Sequence, residues 1–131
     1  MVRIRGLDHV VIRAINVDAM RAFYCDVLGC TVEREAQALG LTQLRAGDAL
    51  IDIVSADGEL GRAGGAPPGA EGRNMDHFCV VLESFDESLI RAHLAKFNVT
   101  GSALEQRYGA AGYGPSIYIQ DPEGNTVELK G

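Results

Sequence analysis

The sequence predicts an α+β fold of two β-α-β-β-β modules whose strands form a cup-shaped mixed sheet. Three observations support this prediction. The chain has 131 residues, which suits one domain with a single hydrophobic core. The stretch that begins with Asp8-His9 returns in altered form at Asp76-His77. Each copy is followed by the same order of strand-like and helix-like patterns, so the chain contains an internal repeat.

The first module begins with a run rich in β-branched residues, Leu7 to Ala14, that predicts a strand. Asp18 is placed to cap a following helix, whose apolar residues recur at helical spacing until Gly29 ends it. Three further strands are predicted, at 31–35, 41–45 and 49–55.

The second module begins with a predicted strand from Met75 to Leu82. The sequence from Ser84 to Glu87 matches a capping box, and it opens a helix with an apolar stripe. The stripe comprises Ile90, Leu94 and Phe97, and His93 beside it is expected to be a half-buried residue without a functional role. Strands follow near 103–107, 116–120 and 125–130, and a type I turn over Asp121 to Gly124 precedes the last one.

The segment 57–74 lacks periodicity and contains many glycines and a Pro-Pro pair. Such a composition predicts either a linker between the modules or a lid over a site. From its length, we predict that the chain forms one domain over residues 1–131. Its parts are module 1 at about 1–56, the linker or lid at 57–74, and module 2 at about 75–131.

Composition excludes several classes of function. The net charge of −6 and the pI near 4.9 oppose the basic surface that nucleic acid requires. No apolar run approaches the roughly 18 residues of a membrane helix, and no export signal is visible. The three cysteines include no Cys-x-x-Cys pair, which favours thiols in a reducing compartment. We expect a cytoplasmic protein that binds neither nucleic acid nor membrane.

Alternation along the strands separates an apolar face from a face that is only partly polar. His9 and His77 occupy equivalent positions of the repeat on this second face, and so do Asp52 and Glu128. Two imidazoles and two carboxylates on four strands suit zinc, nickel, manganese or ferrous iron. We expect one divalent ion at His9, His77 and Glu128. Asp52 is either a fourth ligand or an acceptor that orients a ligand.

These motifs resemble those of the vicinal oxygen chelate superfamily, which includes glyoxalase I, extradiol dioxygenases, fosfomycin-resistance proteins and bleomycin-binding proteins. The matching stretches are Asp8 to Val11, Phe23-Tyr24, Val27 to Gly29, Asp76 to Phe78 and Tyr118 to Leu129. The resemblance implies a glyoxalase-like fold and the metal ligands His9, His77 and Glu128. Asp52 stands where glyoxalase I usually has Glu. The resemblance also implies a homodimer with exchanged units, in which His9 and Asp52 of one chain share a site with His77 and Glu128 of the other.

The resemblance implies a metal-dependent enzyme, and we favour a glyoxalase-like lyase or isomerase acting on a small oxygen-rich or thiol-conjugated substrate. Glu128 or Asp52 then alternates between ligand and base. One alternative is a transferase or hydrolase that opens an epoxide, and another is a ferrous dioxygenase that uses only His9, His77 and Glu128. A drug or metabolite binding module is a further alternative, although such binders lack the ligands.

Four residues are candidates for contacts with the substrate. Ser116 and Tyr118 match the Ser-x-Tyr that contacts the phosphonate in fosfomycin-resistance proteins. Arg107 is able to pair with an anionic group, or it is a solvated surface residue. Tyr113 belongs to a glycine-rich stretch, Gly109 to Gly114, that predicts a flexible rim from which this ring closes over the site.

Overall fold

The computed structural model describes residues 1–131 and divides into two compact units, Met1–Asn74 and Met75–Gly131. Each unit has the element order β-α-β-β-β, which confirms the predicted α+β class and the internal repeat. The strands form two four-stranded sheets, one in each unit, where the sequence predicted one mixed sheet. Neither α-helix has the length and hydropathy needed to cross a lipid bilayer.

The first sheet is mixed and has the strand order β1-β4-β3-β2. Strands β1 and β4 are parallel, and the other two pairs are antiparallel. The elements of this unit are β1 (His9–Ala14), α1 (Val17–Ala22), β2 (Thr31–Ala36), β3 (Leu41–Ala46) and β4 (Ala49–Ser55). As predicted, the apolar strand face is buried together with the helix, and the central side chains of this core are Ile12, Met20, Tyr24, Leu44 and Ile53.

The cap of helix α1 lies two residues earlier than the cap predicted at Asp18. Asn16 caps it, because the Asn16 side chain accepts a hydrogen bond from the Ala19 amide at 3.0 Å. Asp18 lies instead in the first turn, where its carboxylate interacts favourably with the positive end of the helix. A π-helical turn, Phe23–Val27, extends α1, and Gly29 ends it with a φ of +74°, as the sequence predicted.

The second sheet repeats this topology with the order β5-β8-β7-β6, in which β5 and β8 are parallel. Its elements are β5 (Phe78–Val81), α2 (Glu87–Ala95), β6 (Glu105–Gly109), β7 (Gly112–Gln120) and β8 (Thr126–Lys130). Ile117, Ile119, Val127 and Leu129 form the buried face of the sheet. The predicted apolar face is therefore confirmed on the inner strands of this unit, and Ser116 and Glu128 on the opposite face are buried as well.

Helix α2 differs from its prediction at both ends. Its cap is Asp86, which accepts from the Leu89 amide at 3.0 Å, and the predicted capping box that starts at Ser84 does not form. Of the predicted apolar stripe only Leu94 is buried, since the helix stops at Ala95 and leaves Phe97 40% exposed beyond its end.

The predicted turn before the last strand is confirmed. The Gly124 amide donates to the Asp121 carbonyl at 3.0 Å, and Asp121 Oδ1 accepts from the amides of Glu123 and Asn125 at 3.0 and 2.9 Å. These bonds fix the chain as it enters β8, the strand that carries Glu128.

The stretch predicted as a flexible rim is instead a β-hairpin. Gly109 pairs with Gly112 across a two-residue turn, and Tyr108 pairs with Tyr113. The two tyrosine rings meet edge to face with centroids 5.1 Å apart. The stretch is therefore regular strand and not an irregular loop, because pairing of β6 with β7 satisfies the backbone groups of these residues up to the turn.

Part of the glycine-rich segment is held against β1 by Arg13. Its guanidinium donates to four carbonyls, those of Gly61, Gly64, Gly65 and Ala66, over 2.6–3.1 Å. The Asn74 side chain bonds the Arg13 backbone amide and carbonyl at 3.1 and 3.0 Å. A Cβ added at Gly61 would lie 1.8 Å from the Ser55 carbonyl oxygen, so the close approach of this segment to the end of β4 requires glycine.

Candidate functional site

The first unit brings His9 and Asp52 to one face of its sheet. Asp52 on β4 pairs with Val11 on the parallel strand β1, and His9 lies two residues before Val11. Asp8 Oδ1 lies 2.7 Å from His9 Nδ1, and this hydrogen bond, together with the Asp52 charge, raises the pKa of His9. Because an ionised carboxylate only accepts, the neutral ring carries its proton on Nδ1 and leaves the Nε2 lone pair free.

Asp52 is buried and its two oxygens differ. The residue is 4% exposed, and Gln43 Nε2 donates to Oδ2 at 3.1 Å. Oδ1 is the one buried side-chain oxygen or nitrogen of the chain that has no hydrogen-bond partner. An unpartnered buried acceptor costs about 1–3 kcal/mol, so the position of Oδ1 favours a cationic or hydrogen-donating ligand.

Gln43 is in turn held by an arginine. Arg34 Nη1 donates to Gln43 Oε1 at 3.1 Å, because Arg34 on β2 lies opposite Gln43 on β3. This register depends on a shift between Val32 and Arg34, where β2 carries one residue more than β3. Gln43 lies opposite Asp52 on the next strand. A hydrogen-bonded path therefore crosses three strands, from Arg34 through Gln43 to Asp52.

The second unit brings His77 and Glu128 together in the corresponding arrangement. Asp76 Oδ2 lies 2.5 Å from His77 Nδ1, and His77 Nε2 lies 3.3 Å from Glu128 Oε2. Glu128 on β8 is 6% exposed. In the neutral ring the Asp76 carboxylate accepts the proton on Nδ1, which leaves the Nε2 lone pair beside Oε2.

Ser116, Arg107 and Tyr118 gather around Glu128. The Ser116 hydroxyl donates to Glu128 Oε1 at 2.6 Å and accepts from Arg107 Nη1 at 3.0 Å. Arg107 lies over the Tyr118 ring at 4.1 Å, a cation–π distance. Tyr118 also meets the His77 ring edge to face with centroids 5.3 Å apart. The structure thus brings three of the four predicted substrate contacts together on the face that carries Glu128.

Tyr113 does not join this group. It lies on β7 at an odd position, whereas Ser116 and Tyr118 are at even positions, so alternation places it on the opposite face of the sheet. Cys79, which the sequence did not single out, lies opposite Glu128 on β5. Desolvation and the Glu128 carboxylate raise the pKa of the Cys79 thiol to about 11, so the thiol stays protonated at neutral pH.

Sequence reasoning missed the side chains that support the four candidate ligands. Asp8 and Asp76 were visible in the repeat, since each directly precedes a histidine, and this adjacency was the signal. Gln43 and Arg34 gave no such signal, because their contacts depend on strand register.

The donor set fits a divalent ion of intermediate hardness. Each unit offers one imidazole nitrogen and one carboxylate oxygen, the ligand types that zinc, nickel, manganese and ferrous iron accept. The unpartnered Oδ1 of Asp52 and the adjacent Nε2 and Oε2 of the second pair are consistent with such an ion. Neither unit by itself gathers three or more His, Cys, Asp or Glu side chains in a metal-binding cluster.

Comparison with known proteins identifies relatives over nearly the whole chain. The chain is 30% identical over 129 residues to biphenyl-2,3-diol 1,2-dioxygenase 2 of Rhodococcus globerulus, a match that covers 93% of this chain and 60% of that protein. The chain thus spans about three fifths of the length of this relative.

Two solved structures show the same fold. An integron cassette protein from V. cholerae superimposes with a TM-score of 0.79 at 25% identity, with 99% of this chain and 97% of that chain covered. Lactoylglutathione lyase from Agrobacterium tumefaciens superimposes with a TM-score of 0.69 at 20% identity, with 98% and 94% covered. At this identity the lyase supports the fold alone.

The model of one protein family matches residues 6–129, which includes all four candidate ligands. The family is described as the glyoxalase/bleomycin resistance protein/dioxygenase superfamily, in agreement with the resemblance seen in the sequence motifs. The chain belongs to this superfamily.

Proposed function

We propose that the protein is a metal-dependent lyase or isomerase of the glyoxalase type, acting on a small oxygen-rich or thiol-conjugated substrate. The observation that carries the proposal is the buried, unpartnered Oδ1 of Asp52 on the same face as His9. A fourth ligand at this position corresponds to the carboxylate that glyoxalase I uses. The proposed ligands of one divalent ion are His9, Asp52, His77 and Glu128.

When bound, such an ion stabilises negative charge on two neighbouring oxygens of the substrate. The residues of the chain would hold the ion, move a proton and contact the substrate. Asp8 and Asp76 hold Nδ1 of His9 and His77, so Nε2 of each ring would be the nitrogen available to hold the ion. Glu128 Oε2 and Asp52 Oδ1 are the carboxylate oxygens that no serine or glutamine occupies, and either is able to carry a proton between adjacent carbons. The Tyr118 ring is only partly buried, and the surface that Arg107 does not cover is available to the substrate.

The second candidate function is an iron-dependent ring-cleaving dioxygenase. The similarity to biphenyl-2,3-diol 1,2-dioxygenase 2 favours it, and such an enzyme needs only two histidines and one carboxylate as ligands. In that case Asp52 is a supporting acceptor and not a ligand.

We further propose a homodimer whose sites each combine His9 and Asp52 of one chain with His77 and Glu128 of its partner. This arrangement follows the resemblance to small members of the superfamily, and each unit alone presents only half of the ligand set.

The two candidate functions are separated by their metal and oxygen requirements. We expect the protein loaded with nickel, zinc or manganese to form or consume a thiol conjugate such as lactoylglutathione equally well with and without oxygen. The measurement is anaerobic turnover after removal of all metal and reloading with one ion at a time. Turnover of biphenyl-2,3-diol that requires both ferrous iron and oxygen would replace the lyase proposal with the dioxygenase, and full lyase turnover in the metal-free protein would refute both.

Variants of Asp52 decide whether this carboxylate is a ligand. If it is, we expect Asp52→Asn to weaken metal binding strongly, and Asp52→Glu to retain it because the variant supplies the longer carboxylate of glyoxalase I. The readout is the dissociation constant for Mn²⁺, with Asp48→Asn in the exposed β3–β4 turn as the matched control. If Asp52 only orients a ligand, Asp52→Asn should lower the Mn²⁺ affinity by about 10–100-fold. Asp52→Glu should then lower the affinity as well, because its extra methylene crowds a buried position. Full affinity in Asp52→Asn would exclude both roles.

A further inference from the structure

Each candidate carboxylate is the last group of a hydrogen-bonded path that begins at an arginine on an edge strand of its sheet. In the first unit Arg34 on β2 reaches Asp52 through Gln43, and in the second Arg107 on β6 reaches Glu128 through Ser116. We propose that Arg107 and Ser116 are positioning residues that fix which oxygen of Glu128 faces the metal, and that Arg34 and Gln43 do the same for Asp52. The proposal rests on the metal-dependent function proposed above.

The Ser116 hydroxyl donates its hydrogen bond to Glu128. Ser116 is 0% exposed, and a hydroxyl has one proton to donate, which here goes to Glu128 Oε1 at 2.6 Å. Hydrogen bonds to an ionised oxygen are short and roughly twice as strong as neutral ones. Oε1 is therefore occupied, and Oε2 beside His77 Nε2 is the oxygen left for a metal.

Arg107 fixes the orientation of that hydroxyl. Nη1 donates both to Ser116 Oγ at 3.0 Å and to the Ser116 carbonyl at 3.1 Å, so the hydroxyl lone pairs face Arg107 and its proton faces Glu128. Nη2 donates to Glu105 at 3.1 Å, and the guanidinium stacks on Tyr118. With its charge compensated by Glu105, Arg107 is better placed to order the Glu128 carboxylate than to bind an anionic substrate.

The first unit reaches the same result with different side chains. Gln43 donates its amide proton to Asp52 Oδ2 and accepts from Arg34, so one oxygen is occupied and Oδ1 is left free. Gln43 and Ser116 lie on the corresponding strands β3 and β7, although their residue types differ. In each unit, therefore, a neutral donor takes one carboxylate oxygen and leaves the other for a ligand.

The test is a double-mutant cycle on the intact folded protein with Mn²⁺ as the probe. We expect Ser116→Ala to weaken Mn²⁺ binding about 10–100-fold, the usual loss when a residue that orients a ligand is removed. Arg107→Gln is expected to weaken binding by a smaller factor. The double variant is expected to bind within about twofold of Ser116→Ala, since residues of one network are not additive. The electron paramagnetic resonance spectrum of bound Mn²⁺ should change in both single variants, because the carboxylate geometry changes.

Matched controls separate positioning from general effects on folding. Ser88→Ala on the exposed face of α2 and Arg62→Gln outside the sheet, both at exposed positions, should leave affinity and spectrum unchanged. Ser116→Thr retains the hydroxyl and should recover most of the affinity lost in Ser116→Ala. If a Ser116 variant does not fold, as judged by circular dichroism, Arg107→Gln alone decides.

The outcomes distinguish this inference from the function on which it rests. Wild-type Mn²⁺ affinity and spectrum in Ser116→Ala and Arg107→Gln would overturn the positioning role while leaving the metal site intact. A wild-type protein that binds no divalent ion would overturn the metal-dependent function, and the positioning role with it. An unchanged affinity combined with a raised KM for an anionic substrate would assign both residues to substrate binding instead.

Discussion

Replacement of His77 by alanine is expected to abolish divalent-metal binding. His77 is one of two proposed imidazole ligands, and its Nε2 is the atom that lies beside Glu128 Oε2. Without it, Glu128 keeps its bond to Ser116, and the second unit offers only carboxylate oxygen to the ion. Imidazole and carboxylate together select ions such as zinc and nickel, so we expect loss of measurable binding and not a modest decrease.

The matched control is His93→Ala. His93 lies on the exposed face of α2, with its ring tilted against Phe97 and the centroids 5.3 Å apart. Its removal therefore also deletes an imidazole from the same unit. Metal content by elemental analysis, after dialysis against buffer with zinc or nickel, should fall to background in His77→Ala and stay at the wild-type level in His93→Ala. Unchanged stoichiometry in His77→Ala would contradict the assignment of this ligand.

Mixing chains that carry His9→Ala with chains that carry His77→Ala is expected to restore metal binding that neither variant has alone. If each site combines ligands of two chains, a mixed dimer has one site that lacks both histidines and one that is intact. Random exchange of chains makes about half of the dimers mixed. About one quarter of all sites should then be intact in the unfractionated mixture, and about half of the sites in the isolated mixed dimer, which a Mn²⁺ titration resolves.

The chains are combined by co-expression with two different affinity tags, and the doubly tagged dimer is isolated before titration. A doubly tagged dimer that binds no metal would show that each site closes within a single chain. A monomeric mass at micromolar concentration, with metal bound, would exclude the shared site altogether. A control mixture of His9→Ala chains carrying the two tags should not recover.

The fold was predictable because the repeat and the strand alternation each carry strong signals. Buried faces such as Ile12 with Ile53, and Ile117 with Ile119, follow directly from the period of two residues. Helix ends were less predictable. Asn16 and Asp18 are both good caps, and only the path of the chain decides which side chain reaches a free amide.

The candidate ligands were predictable for the same reason, but the residues that hold them were not. The histidines and carboxylates at equivalent positions of the repeat can be recognised in the sequence itself, whereas contacts between strands depend on the register of strand pairing. The register shift in β2 illustrates this, because without it Arg34 would lie opposite Thr42 instead of Gln43. No feature of the sequence marks that extra residue. Ser116 was predicted as a substrate contact from a motif, and only its complete burial and its bond to Glu128 indicate another role.

The metal content of the wild-type protein tests the central proposal most directly. The protein is purified without chelators, its native ion is identified by elemental analysis, and the stripped protein is then titrated with Mn²⁺. The ligand set of two imidazoles and two carboxylates predicts about one divalent ion per chain, bound tightly enough to survive gel filtration. A folded wild-type protein that retains no ion and shows no Mn²⁺ binding at millimolar concentration would contradict it.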